Sequence, residues 1–442
     1  MATGGNVATL AQSWNVPELK NRLLFVLQAL VIFTIGTHIP APGISHTAVT
    51  NFFHSTGAGD LFSLFDMFSG GALKKLSIFA LGIMPYINAS IMMQILVAVE
   101  PRLKQIQQEG EEGRKRISKW TRYLAICLAF LQGYGLLISI YKTSNMNFII
   151  GAGLSELVPQ LAALAGVVGG TCFLMWLADE ISQKGVGNGT SIIIMIGILA
   201  RIPGQVWQEL HVGGMAERRL FALIIMLALA IAVVAGIVWV QLAARKIPIQ
   251  YARRQIGKKI YGGQSTYLPI KVTQAGVIPI IFAISILMIP QTIIQFLPTT
   301  GYAGLHAGWA RFQGSIFYIL IEFALVFLFT FVYTAVSFQT QDVADNLKKN
   351  NGFIPGIRPG RPTFEFLDKV LHRVTFFGGV FLGLLAILPA ITNGLIQLTT
   401  DVKITALYLG GTSLLITVGV ALDTVQQMQA HMVMRHYSGF NR

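Results

Sequence analysis

Charge is what this sequence has least of. Only 12% of its 442 residues are Asp, Glu, Lys or Arg, about half the share of a soluble domain. Mean hydropathy is +0.62, and apolar runs recur from end to end, so the chain reads as an integral membrane protein. No polar stretch is long enough to hold a core of its own, which predicts one membrane unit without a soluble domain. Cysteine is nearly absent too. Cys127 and Cys172 both fall in apolar runs and read as buried thiols, which excludes a disulfide-stapled scaffold. No cleavable signal peptide is expected, because residues 1–16 are polar and Pro17-Glu18 precedes the first apolar run.

Catalytic chemistry is equally scarce. The eight histidines are scattered over loops and span ends without metal-ligand spacing. There is no phosphate-cradling G-x-x-x-x-G-K-[ST], so ATP-driven work falls to a partner, and no enzyme, cofactor or metal site is expected. Carboxylates within the apolar runs are almost missing. Glu322 lies in the eighth run, while Asp179, Glu180 and Asp423 sit at span ends. Ion-coupled transporters place buried ionisable groups near the midplane as relays, so their scarcity counts against the rival reading, a small-molecule transporter.

What is present is a set of ten spans, at about 23–38, 76–98, 120–141, 157–178, 190–206, 220–243, 272–297, 314–338, 374–395 and 405–422. The fold class is therefore all-α and polytopic. The fifth span is interrupted by Arg201, which can snorkel to the interface. An even count puts both termini on one side. With that side cytoplasmic, the opposite side keeps only eight of the 33 basic residues, so the positive-inside rule places the N and C termini in the cytoplasm. Two inward loops, 245–271 and 339–373, mix basic with apolar and aromatic residues. The first carries Gly262-Gly263, a turn signal. Such loops fit anionic headgroups of the phospholipid bilayer or a large cytosolic partner, and an RNA-rich ribosome is admissible.

The chain is organised around DLFSLFDMFSGGALKKLSIFALGIMPYINASIMMQ, Asp60 to Gln94. Its first apolar piece, Leu61 to Phe68, is too short to cross a bilayer, which needs roughly 20 residues. A piece that dips in without crossing is tolerated only where protein or a water-filled cavity surrounds it. The stretch thus implies a cavity with a short lid, which a purely structural scaffold would not need. Gly82-Ile83-Met84-Pro85 in the second span matches Gly276-Val277-Ile278-Pro279 in the seventh when the spans are split five and five. Halves with an odd span count must be inverted relative to each other, an arrangement that puts a site at their interface. Isoleucines recur there: Ile83 and Ile87 share a helix face, with Ile192-Ile193-Ile194 in span five and Ile278, Ile280 and Ile281 in span seven. Each alone fits lipid or core; a ring at one depth would close by dewetting.

Three segments resemble the SecY family of bacterial protein-conducting channels. They are SIFALGIMPYINASIMMQ from Ser77, WLADEISQKGVGNGTSI from Trp176, and DNLKKNNGFIPGIRPG from Asp345. The resemblance implies two inverted halves, 1–210 and 211–442, around a central pore that passes unfolded preproteins. It implies a plug at about 60–71 (Leu61, Phe62, Leu64, Phe65, Met67, Phe68 and Gly70) and a pore ring of Ile83, Ile87, Ile194, Ile281 and Ile416, with Ile278 beside it. A lateral gate between spans two and seven would present Asn88, Gln94, Ile286 and Ile289 to signal sequences. Arg253, Arg254 and Arg358 would face the SecA motor ATPase or the ribosome, and SecE and SecG would be the small membrane partners. Thr190 after the G-N-G turn and Arg361 after Gly360 depart from the family's usual residues.

Overall fold

A computed structural model describes residues 17–43, 66, 68–143, 157–211, 217–251, 254–256, 259–261, 265–274, 276–296, 299–400 and 411–439. Each expected span coincides with a helix: α1 (Pro17–Gly36), α2 (Met84–Val99), α4 (Glu111–Thr143), α5 (Leu157–Lys184), α6 (Gly189–His211), α7 (Glu217–Leu242), α8 (Ile278–Phe296), α10 (Ile316–Ser337), α12 (Arg361–Thr400) and α13 (Gly411–Gly439). Three further helices join them: α3 (Pro101–Gln108), α9 (Thr299–Gln313) and α11 (Thr340–Lys349). Among the described residues, five helices are long and apolar enough to cross a membrane, and four shorter apolar ones accompany them.

The second span differs from expectation. Its helix begins at Met84 rather than Leu76, and its 16 residues reach only about 24 Å at 1.5 Å per residue, less than the roughly 30 Å of a hydrocarbon core. Leu76 (φ 44°) and Gly82 (φ 57°) are left-handed, so no helix can run through them. The preceding strap is instead held by other contacts. The Ala41 amide donates to the Leu76 carbonyl (2.9 Å) and the Ile78 amide to the Ile39 carbonyl (3.0 Å). Phe79 stacks between Phe33 and Phe173 at 6.1 and 5.9 Å. Ala72, Leu76, Ser77 and Phe79 are all buried, which meets the condition for irregular backbone at membrane depth.

The two Gly-x-x-Pro motifs prove to be helix starts rather than interruptions. Gly82 and Gly276 have φ values of 57° and 60°. Pro85 and Pro279 each occupy the second helical position, where a missing amide costs nothing.

Two other expectations are corrected. The polar loops do build a small core together. Strand β1 (Ala244–Tyr251) lies between β4 (Ser265–Lys271) and β5 (Gly352–Phe353), both antiparallel to it, with Gln250 opposite Phe353. Ile247, Ile249 and Ile270 bury against Leu347, Ile354, Leu367 and Leu371, so the two basic loops form one body at the end of the bundle. Strands β2 (Arg254–Ile256) and β3 (Lys259–Tyr261) form a separate hairpin, and Gly262-Gly263 lies outside the described residues. The cysteines are both free, but Cys127 is exposed on α4 and Cys172 half-buried, because neither faces the central core.

The α5–α6 hairpin lies at the same end as the sheet: a Cβ on Gly187 would sit 3.0 Å from Thr424 Oγ1 of α13, and nearby Gln426 accepts a 2.8 Å bond from Lys271 of β4. Gly189 starts α6 so close to α5 that a Cβ would run into the Ala178 carbonyl, while its amide donates to Ser182 Oγ at 2.8 Å. Gly189→Ala is expected to lower stability by about 1–3 kcal/mol, the usual cost of overpacking. Thermal unfolding in detergent measures it, and an unchanged transition would contradict the packing.

Candidate functional site

Every span except α4 contributes to one central hydrophobic cluster. Ile83 is the N-cap residue of α2 and Ile87 lies one turn further on. Both are buried in this cluster together with Ile194 of α6, Ile281 of α8 and Ile416 of α13. Ile278, the first residue of α8, packs against it half-buried, while Ile192, Ile193 and Ile280 are fully inside. Residues from both halves of the sequence thus share one buried apolar core, in which the isoleucines stand with Phe33, Phe79, Phe282 and Phe329. Such a core offers no hydrogen bonds for selecting an ion and excludes water by its surface chemistry.

The same cluster contains Phe68 and Ala72, so the base of the expected plug and the isoleucines share one core. Leu61, Phe62, Leu64, Phe65 and Met67 lie outside the described residues. Phe68 is buried, and Gly70 (φ 70°) is packed so that a Cβ would sit 3.2 Å from Gly197 Cα of α6. Beside them is a feature that sequence reasoning missed. Asp66 is 1% exposed, and its Oδ2 lies 3.2 Å from an Arg201 guanidinium nitrogen. Its Oδ1 accepts from the Lys74 amide at 2.9 Å. Arg201 does not snorkel to the interface. It turns inward because a buried carboxylate waits there. The available signal was one acidic and one basic residue, each alone in an apolar segment.

Helices α2 and α8 touch, and α8 also packs along α4. On the expected gate surfaces, Asn88 is half-buried with a buried Oδ1 that has no hydrogen-bond partner. Ile286 packs against the central cluster. Gln94 is exposed and bonded to Ser90 Oγ at 3.2 Å, and Ile289 is 56% exposed. The first two are thus partly covered and the last two open to the surroundings. An orphaned amide oxygen is costly in an apolar setting, so Asn88 sits at some expense to the closed packing.

Among the loop arginines, Arg358 is exposed in the turn after β5, where Gly356 and Gly360 adopt positive φ and the Arg358 carbonyl accepts from Thr363 Oγ1 at 2.8 Å. Arg254 starts β2, and Arg253 lies outside the described residues. Arg361 is exposed and pairs with Glu365 at 3.3 Å, so it adds little free charge beside Arg358. Of the acidic pair, Asp179 binds Arg122 at 2.8 Å and Glu180 binds Lys184 at 2.7 Å. No group of three potential metal ligands occurs among the described residues.

A sequence model of the SecY family matches residues 77–425, a stretch that includes all three resembling segments and both Gly-x-x-Pro starts. The chain belongs to the SecY family. Members similar to it include the protein translocase subunit SecY of Thermotoga maritima, 42% identical over 432 residues that cover 97% of this chain and 96% of that protein. Its counterpart in Streptomyces scabiei is 43% identical over 451 residues, covering 99% and 100%. The SecY-family fold is also seen in a solved protein-conducting channel with a TM-score of 0.64, 18% identity, and coverage of 94% of this chain and 93% of that one. Sec61 in a canine ribosome–channel complex gives a TM-score of 0.61 at 17% identity, with coverage of 94% and 93%.

Proposed function

We propose that this chain is the pore-forming subunit of a Sec protein translocase, passing unfolded preproteins across the plasma membrane and releasing hydrophobic segments sideways into lipid. The observation that carries the reading is the buried cluster in which Ile83, Ile87, Ile194, Ile281 and Ile416 meet the base of the plug. An aliphatic constriction closes without specific bonds and can widen around side chains of any chemistry. With these residues buried together, we take this arrangement as the closed form.

Packing supports the division into halves 1–210 and 211–442. Helices α1, α2, α4, α5 and α6 pack chiefly on one another, as do α7, α8, α10, α12 and α13. Cross-contacts fall on two seams: α6 with α13, and α8 with α2 and α4. The second seam is the lateral gate, with Asn88 and Ile286 facing it and Gln94 and Ile289 at its lipid edge. A hydrophobic segment that samples this opening partitions into lipid at a gain of roughly 0.3–0.6 kcal/mol per Leu, Ile, Phe or Val. A central charge opposes that by roughly 2.5–3.5 kcal/mol.

The sheet-bearing end faces the cytoplasm, as the basic loops require, with both termini on that side. The joined loops, with Arg253, Arg254 and Arg358, form the docking surface for the SecA motor or the ribosome. SecE and SecG complete the membrane complex. Arg358→Glu is expected to cut motor-driven translocation severalfold, with a changed dependence on salt, because reversing an exposed docking charge acts mainly on the rate of association. The protein should remain at normal abundance in the membrane; a loss of abundance alone would make the residue structural. Reconstitution with SecE, SecG, SecA, ATP and a labelled preprotein tests the function itself. Protected preprotein inside the vesicles is expected. Uptake of small solutes without preprotein would favour a transporter instead.

A further inference from the structure

The closed channel has a charged contact on the side of the isoleucine cluster away from the sheet. Arg201 follows Ile194 by seven residues on α6, about 10 Å further along the helix. There the Asp66 carboxylate is 1% exposed and the Arg201 side chain 13% exposed, at 3.2 Å. Asp66 stands just ahead of the turn that ends the plug, and that turn is tied to it. The Gly71 amide (2.9 Å) and Ser69 Oγ (3.1 Å) both donate to the Asp66 carbonyl, and the Lys74 amide donates to its carboxylate. Gly70 and Gly71 follow with φ values of 70° and 87°, two consecutive left-handed positions. Beyond them the strap is fixed by the pairing of Ser77 with Pro40.

We propose that the Asp66–Arg201 ion pair is a latch that holds the base of the plug against α6, with Arg201 as a positioning residue for the closed state. This rests on the plug reading above. A buried ion pair is a poor source of net stability, because both charges give up their hydration. It suits a two-state device for the same reason. When the plug leaves, each charge regains water, so the contact is lost at little net cost. While it is in place, withdrawing Arg201 leaves the Asp66 carboxylate buried without its cation. The pair also goes with one placement: the carboxylate reaches Arg201 while Phe68 is buried in the same cluster as the isoleucines and Gly70 lies on Gly197.

The test uses the complete complex in membrane vesicles, idle and without preprotein. The two native cysteines are replaced by serine, and Ser69→Cys serves as a reporter, since Ser69 is 1% exposed. A membrane-impermeant maleimide is applied from the side of the plug. Asp66→Asn and Arg201→Gln are each expected to speed labelling at least about tenfold, equivalent to about 1.4 kcal/mol on the seated state. The double variant should be no faster than the faster single one. Arg201→Lys, which keeps the charge, should stay within about threefold of the parent. If Arg201→Gln fails to accumulate, the near-isosteric Asp66→Asn decides alone. Unchanged labelling in the neutral variants, or effects that add in the double, would overturn the latch. Labelling does not need a conducting pore, so its failure and a failure of preprotein transport are separate results.

Discussion

Replacing Ile83, Ile87 and Ile281 by asparagine raises the resting ion conductance of the idle channel in planar bilayers. The expected increase is at least about tenfold, because each buried isoleucine contributes about 1.5–3 kcal/mol of apolar burial that keeps the constriction dry, and each 1.4 kcal/mol is a factor of about ten. All three side chains are buried in the same cluster, one of them at a helix N-cap. Ile83 stands at the N-cap of α2, where asparagine is better tolerated than inside a helix, while its apolar surface is lost. The effect should therefore appear as leak rather than misfolding. The same change at Leu131, which is 53% exposed on α4, should leave conductance unchanged. A triple variant as tight as the parent would remove the constriction from the account.

Joining the seam has the second large effect. Cysteines at Asn88 and Ile286, in a background without the native two, are bridged by a short bifunctional maleimide. Export of a preprotein is then expected to fall to background, because a signal segment can no longer part α2 from α8. Asn88 suits this test, since its Oδ1 makes no hydrogen bond that the cysteine would break. Undiminished export with the bridge fully formed would end the gate assignment.

The spans were legible in the sequence because hydropathy acts over whole segments and bilayer thickness fixes their length. The choice of Ile83, Ile87, Ile194, Ile281 and Ile416 came from the family resemblance, since hydropathy alone does not separate them from other buried isoleucines. The match of Gly82-x-x-Pro85 with Gly276-x-x-Pro279 was legible as a repeat, though its local meaning was not. Glycine and proline can interrupt a helix or begin one, and the positive φ at both glycines decides for a beginning. The start of α2 was misplaced because Leu76 to Ile83 is apolar whether helical or strapped. What distinguishes the two is the left-handed backbone at Leu76 and Gly82 and the long-range bonds from Ala41 and to Ile39, none of which a local pattern carries. The joining of the two basic loops was hidden for a similar reason. Gly352-Phe353 is too short to read as a strand and exists only because Gln250 and Tyr251 offer it an edge. Arg201 was the clearest miss: its partner stands well over a hundred positions away, and no local pattern carries such a pairing.

The most direct measurement asks whether a polypeptide in transit touches the isoleucines. A photo-reactive residue is placed in turn at Ile194, at Ile416, and at Leu227, which is 64% exposed on the outside of the bundle. A preprotein is then arrested halfway by a folded C-terminal domain. The account predicts cross-links to the arrested chain from Ile194 and Ile416, none above background from Leu227, and loss of all of them when the motor is omitted. Cross-linking no stronger from Ile194 and Ile416 than from Leu227 would mean that the chain crosses elsewhere.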